Sequence, residues 1–97
     1  MSILKERTIE LYLKFRVEQT GGLIRKAQWI GRRGCPDRYC GWPMTKKRGW
    51  VETKRPATPA AEEHQKREHA RLRSIGDRVD VIASHAEVDA YVEEMSR

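Results

Sequence analysis

The sequence predicts an α/β domain in the order α-β-β-β-α-β-α. Three observations carry this reading. A long N-terminal stretch repeats its apolar residues at helical spacing and stops at Thr20-Gly21-Gly22. Three short runs of strand character follow between residues 23 and 54. Two further helical stretches then bracket a single alternating run at 78–83. There are no internal repeats and no linker-like composition shift, so residues 1–97 read as one domain.

The first helix is expected over residues 3–19. Ile9, Tyr12, Leu13 and Val17 form one apolar stripe, and Leu4, Leu11 and Phe15 a second. Apolar residues on two sides predict burial on two sides, against a sheet and against another helix or a second subunit. Gly21 suits the left-handed position just past the helix end. Residues 23–30 read as a strand, and residues 31–34 as a basic, flexible loop leading into Pro36-Asp37. Residues 38–42 make a short second strand, and residues 43–49 a turn rich in Lys and Arg. The third strand is 50–54, so the three form a meander against the first helix. Residues 55–59 break the strand with two prolines. Thr58 is expected to cap a helix beginning at Pro59, which runs to about Ile75 and stops at Gly76. Residues 78–83 alternate as a fourth strand. Ser84-His85-Ala86-Glu87 is a capping box that opens a last helix, with Val88, Tyr91, Val92 and Met95 on one face.

With 97 residues and 38% hydrophobic content, the core is small, and pairing with a second copy would bury more surface. No apolar run is long enough to span a membrane, and the N-terminus lacks the apolar stretch of a signal peptide, so a cytoplasmic protein is expected. Cys35 and Cys40 have no second pair and no neighbouring His, which favours free thiols over a zinc site. Charge is uneven. Residues 25–56 carry +8, with Asp37 and Glu52 as their only acids, whereas residues 77–97 carry −4. A basic field around a small acidic focus suits a polyanionic substrate.

Those two acids belong to two short strings, Pro36-Asp37 and Glu52-Thr53-Lys54, or P-D and E-x-K. On a strand, Glu52 and Lys54 share one face, with Val51 and Thr53 on the other. If Asp37 starts the neighbouring strand, two carboxylates converge beside one lysine. Such carboxylates repel unless a cation lies between them, and oxygen ligands suit Mg²⁺ or Mn²⁺. A divalent metal beside a lysine suits phosphodiester hydrolysis. Taken singly, each string is also an ordinary turn or an exposed ion pair.

The order and motifs resemble the PD-(D/E)xK nuclease superfamily, and more narrowly its virus-type replication–repair nuclease (VRR-NUC) domain. The resemblance runs from about residue 5 to residue 95. It rests on Glu10 in a helix ending at Gly21-Gly22, on Lys26, on residues 31–37, on Val51-Glu52-Thr53-Lys54, and on Gln65, His69, Leu72 and Gly76. It implies a restriction-endonuclease-like core with a mixed central sheet flanked by helices. It also implies a metal-dependent DNA endonuclease, with Mg²⁺ or Mn²⁺ as cofactor and no organic one. Asp37, Glu52, the backbone carbonyl of Thr53 and a helical Glu would hold the metal. Glu10 has the spacing associated with the superfamily, and Glu6 lies one turn earlier on the same face. Lys54 would orient the attacking water, and Gln65 would touch that lysine or a phosphate. Thr53 stands where a Leu is common, and its side chain is expected to point away from the site. Lys26, Arg32, Arg33, Lys46, Lys47 and Arg48 would contact phosphates. Trp29, Trp42 and Trp50 read as core or dimer contacts before base-stacking ones. His64 and His85 read as surface residues, and His69 as a polar residue facing the sheet. Small stand-alone members of the family are typically phage proteins acting as homodimers on branched DNA, such as flaps and Holliday junctions. The rival reading is a non-catalytic basic DNA-binding module, or a subunit of a phage replication or repair complex.

Overall fold

The computed structural model describes residues 5–97. It contains α1 (Glu6–Gln19), β1 (Leu23–Lys26), β2 (Arg38–Gly41), β3 (Arg48–Thr53), α2 (Glu63–Ser74), β4 (Val79–Ile82) and α3 (His85–Ser96), the order expected from sequence. The four strands lie in one mixed sheet in sequence order. β1, β2 and β3 are antiparallel neighbours, and β4 joins β3 in parallel after the α2 crossover.

Local chemistry sets the helix ends. At the end of α1, the Gly22 N–H donates to the Val17 carbonyl and the Gly21 N–H to that of Glu18, with Gly21 at φ 81°. This is the Schellman arrangement, and it needs a residue tolerant of positive φ. Gly22 is needed for space as well: a Cβ there would come within 2.8 Å of the Trp42 ring and of Val17. α2 ends in the same way, through Gly76 at φ 95° and the Asp77 N–H donating to Leu72. α3 opens on the Ser84 hydroxyl, which accepts from the Glu87 N–H.

One face of the sheet carries the core. Ile9, Leu13 and Val17 from α1 meet Ile24, Cys40, Val51 and Ile82 from the strands, and Val88, Tyr91, Val92 and Met95 from α3. Each such apolar side chain contributes about 1.5–3 kcal/mol relative to exposure. Burial also pushes the Cys40 thiol up to about 12, leaving it an inert core group. Among the described residues, no helix is long and apolar enough to cross a membrane.

Expected boundaries move at β1 and α2, and β3 begins at Arg48 instead of residue 50. β1 stops at Lys26 instead of residue 30, because its partner β2 begins only at Arg38; one more ladder bond, Ala27 N–H to the Asp37 carbonyl, closes the pairing. α2 starts at Glu63, not Pro59. Glu62 and Gln65 make a reciprocated capping box, while Thr58 is held in a turn with Arg55. α1 is described from Glu6, so Ile3 and Leu4 of the expected helix lie outside the described residues. The rest of its second apolar stripe stays at the surface, with Leu11 55% and Phe15 58% exposed.

Candidate active site

Register places the central acids. β2 and β3 pair Arg38 with Val51, so one further step sets Asp37 opposite Glu52. The preceding loop is fixed to α2. Arg32 makes a two-pronged ion pair with Glu68, at 2.9 Å for each bond, and Glu68 also accepts from Arg71 at 3.0 Å. These arginines hold the Glu68 carboxyl down at about 2. Gly34, at φ 94°, lies so close that a Cβ would meet the Glu68 Cβ at 2.9 Å. Pro36 is fully buried beyond it. The loop expected to be flexible is therefore clamped, and it delivers Asp37 to a fixed point.

The Asp37 carboxylate accepts from both the backbone N–H and the hydroxyl of Thr53, at 3.0 Å each. The same hydroxyl lies 3.3 Å from Glu10 Oε1 and 3.5 Å from Glu6 Oε1. Carboxylate oxygens of Glu6, Glu10 and Asp37 all fall within 4.8 Å of one another. Both helical acids reach the site. Thr53 does not point away from it: its hydroxyl lies among three carboxylates. Strand alternation is obeyed, but the acids of α1 approach β3 on the Thr53 side.

Glu52 lies on the other side of β3. It is 4% exposed, and its Oε1 is buried without a hydrogen-bond partner. The nearest candidate donor is Nε2 of His69 on α2, 3.8 Å away and equally unpartnered. Burial, then the Asp37 carboxyl, pushes the Glu52 carboxyl up to about 8. Burial also raises Asp37, against the opposing influence of the neighbouring Glu52 carboxyl and its bonds from Thr53. Glu6 is raised by burial and by the negative charges of Asp37 and Glu10. Burial, Arg73 and Lys54 hold His69 in its neutral form. Lys54 continues the parallel ladder, its N–H donating to the Ile82 carbonyl at 2.9 Å, and its charge pulls down both Glu6 and Glu52.

Arg38 is a site residue that sequence reading passed over. Its side chain is 12% exposed, and its guanidinium meets Glu10 at 3.1 Å and the Asp37 carboxylate at 3.9 Å. Its position beside Asp37 was a signal, lost in a count of ten bases. Gln65 is placed differently from expectation. Its side-chain carbonyl accepts the Glu62 N–H at 2.9 Å, and His69 is the α2 residue that reaches Glu52.

The other expected phosphate contacts divide. Lys26 lines a cleft beside Glu10, and Arg33 is exposed on the clamped loop. Arg32 is committed to Glu68. Lys46, Lys47 and Arg48 are at the turn end of the hairpin, roughly 17 Å along β3 from Thr53 by strand rise. Lys47 donates to the Glu94 and Arg97 carbonyls at the end of α3. Trp50 packs edge-on against Trp29 and Tyr39, and its indole N–H bonds to Asp77. Trp42 is buried against Tyr91.

Glu6, Glu10 and Asp37 cluster beside Arg38, and Glu52, with its orphaned buried oxygen, lies across β3 from them; burial raises the proton affinity of Glu6, Asp37 and Glu52. An all-oxygen donor set of this kind fits a hard divalent cation.

A mixed four-stranded sheet with this acid set at one end defines a nuclease of the PD-(D/E)xK type. No protein-family model matches the chain. A solved structure described as "VRR_NUC domain" superposes with a TM-score of 0.81 and 38% identity, covering 91% of this chain and 94% of its own. A curated protein named "Putative nuclease p44", from Acyrthosiphon pisum secondary endosymbiont phage 1, is 39% identical over 84 residues, or 87% of this chain and 88% of that protein. The chain belongs to the VRR-NUC family of nucleases.

Proposed function

We propose that the protein is a metal-dependent DNA endonuclease acting on branched substrates such as flaps or Holliday junctions. The observation that carries this is the cluster of Asp37, Glu6 and Glu10 around Thr53 at the end of β3, with the Glu52 carboxyl buried across the strand. Asp37, Glu52, Glu10 and the Thr53 carbonyl are the residues that would hold Mg²⁺ or Mn²⁺, with Glu6 beside them. An ion held there would supply charge neutralisation at the scissile phosphate and a water of lowered pKa.

The protein's own groups do the rest. Lys54 orients the attacking water and stabilises negative charge building on the phosphorane-like transition state. Arg38 fixes Glu10 and Asp37, and the Thr53 hydroxyl holds Asp37 in place. With its carbonyl in the capping box, Gln65 has its amide N–H₂ left for a phosphate. Lys26 and Arg33 would position the backbone near the cut, and Lys46 and Arg48 a more distant arm. Phosphate contacts fix position but carry little sequence information, which suits selection by DNA structure. A homodimer would place two sites on two strands, and the exposed Leu11 and Phe15 offer an apolar surface for a second copy.

The test is cleavage across duplex, single-stranded, flap and four-way-junction DNA with Mg²⁺, Mn²⁺ or EDTA. Wild type should cut branched DNA only with metal, and Asp37→Ala and Lys54→Ala should not cut. Equal cleavage by all three proteins, or none by wild type, would overturn the reading.

A further inference from the structure

Two clefts flank the acid cluster. One, of about 250 Å³, lies between α1 and β1 and is walled by Arg7, Lys14, Lys26 and Arg38, with Glu10 as its one acid. The other, of about 720 Å³, lies between the start of α1 and the connection after β3. Its basic walls are Lys5, Arg7, Lys54 and Arg55. Glu6 faces this second cleft and Glu10 the first, one helical turn apart. Arg7, on the same helix, is a wall of both.

Several cations elsewhere are already paired, although Arg25, Arg33, Lys46, Arg48, Arg67 and Arg73 also have no carboxylate partner among the described residues. Arg16, Arg32, Arg71, Arg78 and Arg97 each have a carboxylate partner. Among the described residues, Arg7, Lys14, Lys26 and Arg55 have none, and all four are exposed. Unpaired cations thus lie on both sides of a focus of negative charge that itself calls for a cation. A free phosphate or a mononucleotide would fill one cleft and leave the other basic wall uncompensated. An extended polyanion crossing the acids would meet both.

We infer that the two clefts form one trough for a single polynucleotide strand, with Arg7 as the wall shared by the segments on either side of the acids. This rests on the nuclease reading of the same site and deepens it, by assigning the strand's path and four phosphate-binding residues, of which Lys26 alone was expected from sequence. The trough follows α1 and the edge strand β1, away from the Lys46–Arg48 turn.

The experiment is fluorescence anisotropy of a labelled single-stranded oligonucleotide with Ca²⁺ in place of Mg²⁺, read against salt concentration. Arg7→Gln, Lys14→Gln and Arg55→Gln should each weaken binding and lower the slope of log affinity against log salt by about 1. Lys46→Gln should weaken it less than any of them. Calorimetric Mn²⁺ binding by Arg7→Gln should match wild type, which separates a strand contact from damage to the acid cluster. Wild-type affinity and slope in Arg7→Gln and Arg55→Gln would overturn the trough, as would a larger effect from Lys46→Gln. The two readings fail separately. A wild type that binds the strand with these variant effects but cuts no DNA defeats the nuclease reading alone. A wild type that cuts DNA while Arg7→Gln binds and cuts unchanged defeats the trough alone.

Discussion

At the turn end of the β2–β3 hairpin, Lys47 donates to the carbonyls of Glu94 and Arg97 at the end of α3, and the Thr45 hydroxyl donates to that of Met95 at 2.8 Å. At the other end, Asp37, Glu6 and Glu10 crowd one hydroxyl, and Glu52 buries an oxygen with no partner at all. The same two strands hold both. The turn end is arranged as a stable protein arranges its surface, with cations against the negative end of a helix. The acid end stores like charge that a folded domain would otherwise shed. Under-satisfied polar groups in an otherwise well-bonded fold mark a candidate functional site.

Removing the chemistry of the acid end should have the largest effect. Lys54→Ala or Asp37→Asn is expected to slow cleavage by about 10²-fold or more, with circular dichroism unchanged. Single-turnover rates on a preferred substrate check this. Gly34→Ala comes next. A side chain at φ 94° against Glu68 should cost about 1–3 kcal/mol, read by urea unfolding, with a loss of cleavage because the clamped loop delivers Asp37.

Thr53→Val keeps the shape of the side chain and removes the hydroxyl among the acids. It should weaken Mn²⁺ binding by about tenfold, and Thr53→Ser should restore most of it. A drop in melting temperature with no change in metal affinity would make Thr53 merely structural.

The raised carboxyls give a sign to the pH response. Glu52 titrates at about 8 in the folded protein against 4.5 as its ordinary value, so the folded state holds the extra proton. That contribution is fully present below the unfolded value, and stability falls as pH rises through the window between the two. His69, held neutral, acts oppositely, but only up to its ordinary 6.5. Thermal melts in EDTA should therefore fall from pH 7 to 8, and saturating Mn²⁺ should reverse the fall. The smallest effect belongs to the turn end: Lys47→Ala should cost about 0.3–1 kcal/mol in chemical denaturation, through lost contacts to the end of α3.

What sequence revealed and what it hid divide along the same line. The end of α1, the Ser84 cap of α3 and its buried face were legible because each is decided within a few residues. The start of α2 was not, since Thr58 and Glu62 are both acceptable caps and only the Arg55–Thr58 turn separates them. Arg32 looked like its free neighbours because its partner, Glu68, is 36 residues away. Strand alternation correctly separated Thr53 from Glu52. It could not say that α1 would bring Glu6 and Glu10 to the Thr53 side, so that the acids straddle β3.

The most direct test is calorimetric titration of Mn²⁺ into DNA-free protein, wild type against Asp37→Asn/Glu52→Gln, with folding verified by circular dichroism. Saturable binding by wild type that is lost in the folded double variant is the predicted result. Equal binding by both, or none by either, would contradict the assignment of the hairpin's acid end as the metal site.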